Sequence, residues 1–273
     1  MTELCSAARV IKTISTGGDG VLGVTSVDDE LFVLLNRDSD QVAVYSINDY
    51  RLLRHFSLPG LKRNIHLNNE LTSCVRHRCL YASDCGNTCV HRYDLASSAM
   101  SKWSVPGRPC GLSVTPSCNL LVTCWFPNKL VELSADSGQC VREIALMQSG
   151  IYVPQHAVQL TTGQYVVCHG FWCGLHRVCI VDDDGRVTRS YGGQHGAGVG
   201  QLDWPRHLAV DEDSQFVFVA DSDNDRVVVL SPTLEFVRYI SEGLSCPCQL
   251  HFDNATTRLY VSQTRDDIVV IQL

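Results

Sequence analysis

Two histidines, His156 and His207, stand two residues behind a proline, Pro154 and Pro205 respectively. Imidazoles at matched positions are candidates for metal binding or proton transfer, because neutral imidazole nitrogen is a common ligand and its charge changes near physiological pH. Gln155 and Arg206 follow the same prolines directly, and Arg108 precedes Pro109. The 14 cysteines of the chain raise a second possibility, since Cys85, Cys89 and His91, and separately Cys168, His169, Cys173 and His176, carry donors that zinc accepts. Neither group has the paired spacing of a zinc ribbon or RING. Many cysteines, among them Cys74, Cys118, Cys124, Cys168 and Cys179, lie inside apolar runs, so reduced thiols used as small buried hydrophobes are expected, with no metal and no cofactor.

Aromatic pairs supply a different chemistry. Trp125 and Phe126 sit in one polar-flanked turn and Phe171 and Trp172 in another. Large apolar side chains in turns mark interaction sites when they are exposed. Acidic residues concentrate in turns as well, at Asp221, Asp223, Asp225, Asp266 and Asp267, where the short carboxylate bonds nearby backbone.

The elements that must position these groups are short. Between Gly192 and Gly243 four apolar runs, His207 to Asp211, Phe216 to Asp221, Arg226 to Leu230 and Phe236 to Ile240, are separated by Asp/Ser, Asp/Asn and Ser/Pro clusters. Runs this short are strands joined by tight turns, because a helix needs about 10–12 residues to present a periodic face. Pro109, Pro154, Pro205 and Pro247 each precede such a strand and are spaced by 45, 51 and 42 residues, near the ~40–50 of propeller repeats. Extended backward, the register yields units beginning near Leu22 and Leu71; forward, a last unit of three strands ends at Leu273. The missing strand is expected at the other terminus, where Arg9 to Ser15 reads RVIKTIS, so that Val10 to Ile14 lies beside Ile268 to Gln272 and closes the ring. The expectation is an all-β, six-bladed propeller of four-stranded antiparallel blades, with residues 1–273 as one domain.

The fifth unit resembles the NHL repeat at Gly198, Gly200, Gln201, Pro205, Ala209-Val210-Asp211, Val219-Ala220-Asp221, Asn224 and Arg226, with His207 where that family often has glycine. The chain is similar to the C-terminal propellers of tripartite-motif ubiquitin ligases, which implies recognition of a protein partner on the face that holds the starts of the innermost strands, called here the upper face. Arg108, Trp125, Phe126, Gln155, His156, Phe171, Trp172, Arg206 and His207 fall on it by this reading. The resemblance also implies that Asp221 pairs with Arg226 to tie turn to strand. RNA binding by the same face is an alternative that the family allows; a metal-dependent propeller lyase or hydrolase is another. In the amidating lyase, a zinc propeller enzyme of a related repeat class, the ligand histidines directly follow a proline, the places held here by Gln155 and Arg206.

Composition limits the alternatives. The chain has 273 residues, 45% hydrophobic and 19% charged, with a formal net charge of −7, which disfavours a phosphate-gripping surface and DNA above all. No apolar run approaches the ~20 residues of a membrane span, and the first residues lack the apolar core of a secretory leader. A cytoplasmic, monomeric domain with no membrane contact is expected. No Gly-x-Ser-x-Gly, His-Glu-x-x-His or Walker pattern occurs, so no catalytic residue is assigned and enzymatic activity is not expected.

Overall fold

The computed structural model describes residues 8–35, 40–61, 69–170, 174–264 and 267–273. Phe171, Trp172, Cys173 and Asp266, named above, lie outside the described residues. Among the described residues, twenty-four strands form six antiparallel sheets of four. Strand β1 is Arg9–Ser15; blade 1 holds β2 (Val21–Val27) to β5 (Leu52–Ser57), and blade 2 holds β6 (Leu71–Cys74) to β9 (Met100–Ser104). Blade 3 runs from β10 (Arg108–Val114) to β13 (Cys140–Ala145), blade 4 from β14 (Pro154–Gln159) to β17 (Val187–Gly193), and blade 5 from β18 (Pro205–Val210) to β21 (Phe236–Ile240).

Blade 6 consists of β22 (Pro247–Asp253), β23 (Arg258–Gln263), β24 (Asp267–Gln272) and, outermost, β1. Arg9 pairs with Gln272, Val10 with Ile271 and Ile14 with Ile268, so the chain's beginning seals its end as the strand count requires. Without β1, the row of backbone donors and acceptors on β24 would be an open edge.

Each blade is apolar on both faces because it is sandwiched between two others. Six clusters of buried side chains occupy the six blade-to-blade seams. Between blades 4 and 5, Val166, Val178 and Tyr191 pack on Leu208, Val219 and Val228; between blades 6 and 1, Tyr260, Ile268 and Ile14 pack on Val24, Leu31 and Ala43. The middle strands therefore read as unbroken apolar runs, such as RVVVL in β20 (Arg226–Leu230), all of it buried. No helix among the described residues is long and apolar enough to cross a membrane.

Candidate functional site

Five of the six innermost strands are bulged at their start, and those led by a proline begin earlier than the apolar pattern indicates. The pairing register shifts between Pro109 and Gly111, Pro154 and His156, Pro205 and His207, and Pro247 and Gln249. Proline has no N–H for the ladder and is tolerated at a strand's first residue; the extra residue behind it is Cys110, Gln155, Arg206 or Cys248. The next residue rejoins the ladder, placing Gly111 opposite Thr123, His156 opposite Cys168, His207 opposite Ala220 and Gln249 opposite Ser262. Gly23, opposite Leu34, is the counterpart in blade 1. In blade 2 the counterpart is Glu70, whose carbonyl accepts from Ser83 N at 3.0 Å and whose N–H donates to Ser83 Oγ at 2.8 Å.

The channel is thus ringed at one level by Gly23, Glu70, Gly111, His156, His207 and Gln249. The two glycines are steric necessities. A Cβ on Gly111 would lie 2.6 Å from Gln155 O and 2.9 Å from His156 Cα, and one on Gly23 would lie 2.6 Å from Leu71 Cβ. Neighbouring inner strands close in at these points, and three polar side chains meet.

Glu70 Oε1 accepts from Leu112 N at 3.0 Å and lies 3.0 Å from Nε2 of both His156 and His207. His207 Nδ1 accepts from Leu250 N at 3.3 Å, which puts the histidine's own proton on Nε2, where it donates to Glu70. His156 Nε2 is also 3.0 Å from Leu112 O, and the two rings stack with centroids 3.7 Å apart. Glu70, His156 and His207 are 3%, 2% and 6% exposed. Burial works to raise the Glu70 carboxyl, but the two imidazoles outweigh it and hold it at about 2. Burial, reinforced by His156, pushes His207 down to about 4 against the pull of Glu70. At neutral pH this is an ionised carboxylate receiving hydrogen bonds from a neutral imidazole.

Sequence reasoning missed Glu70, because blade 2 has no proline to mark its start. Counting back one residue from Leu71, as His207 precedes Leu208, would have found it.

One carboxylate oxygen and two imidazole nitrogens within 4.8 Å of one another form a donor set that zinc accepts. The residues therefore fit a metal in kind, and hydrogen bonds also satisfy the same atoms without one. Beneath them, toward the ends of the inner strands, lies a cavity of about 150 Å³ lined by Thr25, Ser73, Val114, Val158 and Val210.

The upper rim carries the other candidates. Arg108 lies over the Trp125 ring at 5.5 Å, Trp125 Nε1 donates to Cys85 Sγ at 3.4 Å, and Phe126, 6.4 Å from Trp125 by ring centroids, is 62% exposed. A second Arg/Trp pair stands two blades on, with Arg206 over Trp204 at 4.8 Å. Gln155 Nε2 is occupied by Val153 O at 3.0 Å. Tyr152 is 46% exposed, although packing is the ordinary fate of an aromatic before a blade proline. His156 and His207 are not on this rim: the bulge that exposes Gln155 and Arg206 turns the following residue into the channel.

The turns between second and third strands hold the remaining candidates. In blade 5, Asp221 accepts from Arg226 Nε at 2.7 Å, Asn224 Nδ2 at 2.9 Å and Asp203 N at 2.6 Å, the expected clamp. In blade 2, Asp84 is held by Asn87 and by His91 Nε2 at 3.1 Å, with Cys89 in the arginine's place, 3.7 Å from the same nitrogen. The proposed Cys85, Cys89 and His91 group is corrected by this: Asp84, not Cys85, joins the other two. The described members of the group around Cys168 do not converge either, because His169 Nε2 accepts from Arg177 Nε at 2.8 Å and Cys168 Sγ turns to His156 O. All 12 described cysteines are free thiols.

No family model matches the chain, and no curated protein matches it. Solved structures do. Virginiamycin B lyase from Staphylococcus aureus is similar with a TM-score of 0.67 at 11% identity, over 98% of this chain and 100% of that one. A streptogramin B lyase structure gives 0.68 at 10% identity over the whole of both chains. Hydrazine synthase of Kuenenia stuttgartiensis gives 0.67 at 14% identity, over 95% of this chain and 97% of that one. These likenesses show the fold. They also overturn the expectation that enzymatic activity is absent, since that expectation rested on a propeller without recognisable motifs, and propellers of this architecture include lyases. The chain is a six-bladed β-propeller of the architecture found in virginiamycin B lyase.

Proposed function

We propose that the upper rim recognises a protein partner, in the manner of the NHL propellers that the fifth blade resembles, with Phe126 as the apolar anchor and the Arg108–Trp125 pair beside it. The observation that carries this reading is the 62% exposure of Phe126 next to a tryptophan already covered by an arginine. Burying such an aromatic contributes about 1.5–3 kcal/mol, and Trp and Arg dominate interface energetics. Asp203, Asp223 and Asp225 on the same rim, together with the net charge of −7, favour a protein over a nucleic acid. The test is affinity capture with the wild-type chain against Phe126→Ser and Trp125→Ala. Partners lost with both variants support the reading; an unchanged set of captured proteins sinks it. Retention of hairpin RNA that falls steeply with salt would replace it with the RNA alternative.

A second reading rests on Glu70, His156 and His207: a metal-dependent lyase or hydrolase acting through the channel. Glu70 and the Nε2 atoms of the two histidines would hold the ion, whose contribution would be Lewis-acid activation. The cavity beside them, at about 150 Å³, is smaller than the ~300–1,000 Å³ that encloses a drug-sized ligand, which weighs against a substrate of streptogramin size. Stoichiometric zinc in the purified protein, lost in His207→Ala, would favour this reading. Metal content well below one equivalent would remove it.

A further inference from the structure

Three donor atoms of different kinds meet in blade 2, away from the channel. Asp84 ends β7 (Cys79–Asp84) and lies opposite Cys89, which opens β8 (Cys89–Asp94); His91 follows two residues later on the same face of β8. His91 Nε2 is 3.1 Å from Asp84 Oδ2 and 3.7 Å from Cys89 Sγ, and the three atoms all lie within 4.8 Å of one another. Asp84, Cys89 and His91 are 0%, 1% and 4% exposed. Zinc bonds of about 2.0 Å to oxygen and nitrogen and about 2.3 Å to sulfur, set at tetrahedral angles, separate N from O by about 3.3 Å and N from S by about 3.6 Å. Both observed separations fall within about 0.2 Å of those values.

Other blades fill the same lattice positions differently. Opposite the end of the second strand stand Lys129 in blade 3, Arg177 in blade 4 and Arg226 in blade 5, whereas blade 2 has Cys89. Two residues further on, Val131, Cys179 and Val228 pack into apolar seams, whereas blade 2 has His91. Blade 2 thus holds a thiol in the place of a cation and an imidazole in the place of an apolar side chain, two zinc ligands beside a carboxylate. That carboxylate is oriented from behind, because Asn87 N donates to Oδ1 at 3.0 Å and Asn87 Nδ2 to Oδ2 at 2.8 Å, the support that a ligating carboxylate receives. His91 Nδ1 is buried with no hydrogen-bond partner among the described residues. Moving the ring's proton there from Nε2, as ligation requires, breaks no bond at Nδ1.

We propose that Asp84, Cys89 and His91 bind one zinc ion, which clamps the turn of blade 2 to its third strand as the Asp221–Arg226 pair does in blade 5. Asp84 ligates through a carboxylate oxygen, His91 through Nε2 and Cys89 through Sγ. Burial first and the Asp84 charge next raise the Cys89 thiol, so the ion displaces a proton that the thiol otherwise keeps and releases it to solvent. Carboxylate and thiolate then cancel the two charges of zinc, and the ligands and ion together carry no net charge. Lys102, opposite His91 on the outermost strand, is the cation nearest the sulfur. Thiolate with imidazole selects zinc over magnesium or calcium, which take oxygen ligands. The channel trio of Glu70, His156 and His207 has no sulfur, so the two sets are chemically distinguishable.

The experiment strips the full chain with a chelator, desalts it, and titrates it separately with zinc and with cobalt(II), whose bond to a thiolate gives a charge-transfer band in the near ultraviolet. One equivalent of cobalt that carries the band, and a melting temperature that rises with free zinc, are the expected results. His91→Val installs the residue that blades 3 and 5 have at this place, so it should fold and lose the band; Cys89→Ser should lose it as well. Asn87→Ala should keep the band and weaken zinc binding by about 10–100-fold. No uptake, or a band that survives Cys89→Ser, overturns the proposal. Uptake without the band overturns it too, and its loss in His207→Ala would move the ion to the channel. The wild-type titration is a test that needs no variant to fold.

Discussion

Blades 4 and 5 place different chemistry on the same lattice positions. Asp221 lies opposite Pro205 and Arg226; His169 lies opposite Pro154 and Arg177. In blade 5 the arginine is answered by a carboxylate, and its remaining N–H groups reach Ala197 O at 2.8 Å and Gln201 O at 3.2 Å, while Tyr239 lies under the guanidinium at 3.9 Å. That single side chain ties the long connection into blade 5 to the blade itself. In blade 4 the arginine meets an uncharged imidazole and Gly150 O at 2.9 Å. Burial first, then the Arg177 charge, drives His169 down to about 3, so it serves as a neutral acceptor. The lesson is that the lattice demands an acceptor for the arginine and leaves its charge open.

The largest effect should come from unbalancing blade 5. Asp221→Asn keeps an acceptor but leaves Arg226, 8% exposed, without a counter-charge, and should cost about 3–5 kcal/mol in urea unfolding. His169→Asn, which exchanges one neutral acceptor for another, should cost about 1–3 kcal/mol. If the two variants are equally damaged, the distinction between charged and neutral clamps fails.

Acid stability is the next discriminator. An unfolded histidine takes its proton near pH 6.5, whereas folded His169 resists to about 3. The folded state therefore binds fewer protons between those values. Stability from this group is complete above about pH 6.5 and declines as pH falls toward 3, by about 1.4 kcal/mol per pH unit. His207 and His251, both depressed to about 4 chiefly by burial, add their own slopes over the same region. Glu70, held at about 2, adds another below its unfolded value near 4.5. Measured from pH 6 to pH 4, His169→Asn should reduce the slope by about one proton's worth; an identical slope would show that His169 is not the neutral acceptor described.

Grafting blade 5 onto blade 4 with His169→Asp should change stability at pH 7 by only about 1 kcal/mol, since an ion pair's attraction and its desolvation nearly offset. A loss above about 3 kcal/mol would mean that blade 4 cannot seat a carboxylate. The smallest effect belongs to Tyr239→Leu, which removes the ring beneath Arg226 and should cost about 0.5–1 kcal/mol in thermal unfolding.

Much of the fold was legible because a propeller repeats one short pattern. The strands of blade 5, the clamp of Asp221 with Arg226 and the pairing of β1 with β24 could all be read from apolar runs and turn residues. The rim was legible in part: Trp125 and Phe126 are adjacent, but only position shows that Trp125 is covered by Arg108 while Phe126 is bare. The channel was legible only through His156 and His207, matched behind their prolines; Glu70 was not. Val153, Trp204 and Cys246, each before a proline, adopt φ of 51°, 54° and 45°, where the residue before proline is ordinarily extended. The bulge that follows reverses the alternation on which a strand's facing is read.

The amino-acid order alone determined the number of blades, the strand order and the closure, because those depend on local periodicity and on turns that act within a few residues. It also determined that arginines near the turns need acceptors. The tertiary structure decided which distant residues share a level of the channel. Glu70 and His207 stand 137 positions apart and meet only because the inner strands of six blades wind back to one axis. It likewise set Arg206 against the thiol of Cys248 in the next blade. Such contacts cross blade seams, and their partners are chosen by ring geometry, which no stretch of sequence encodes by itself.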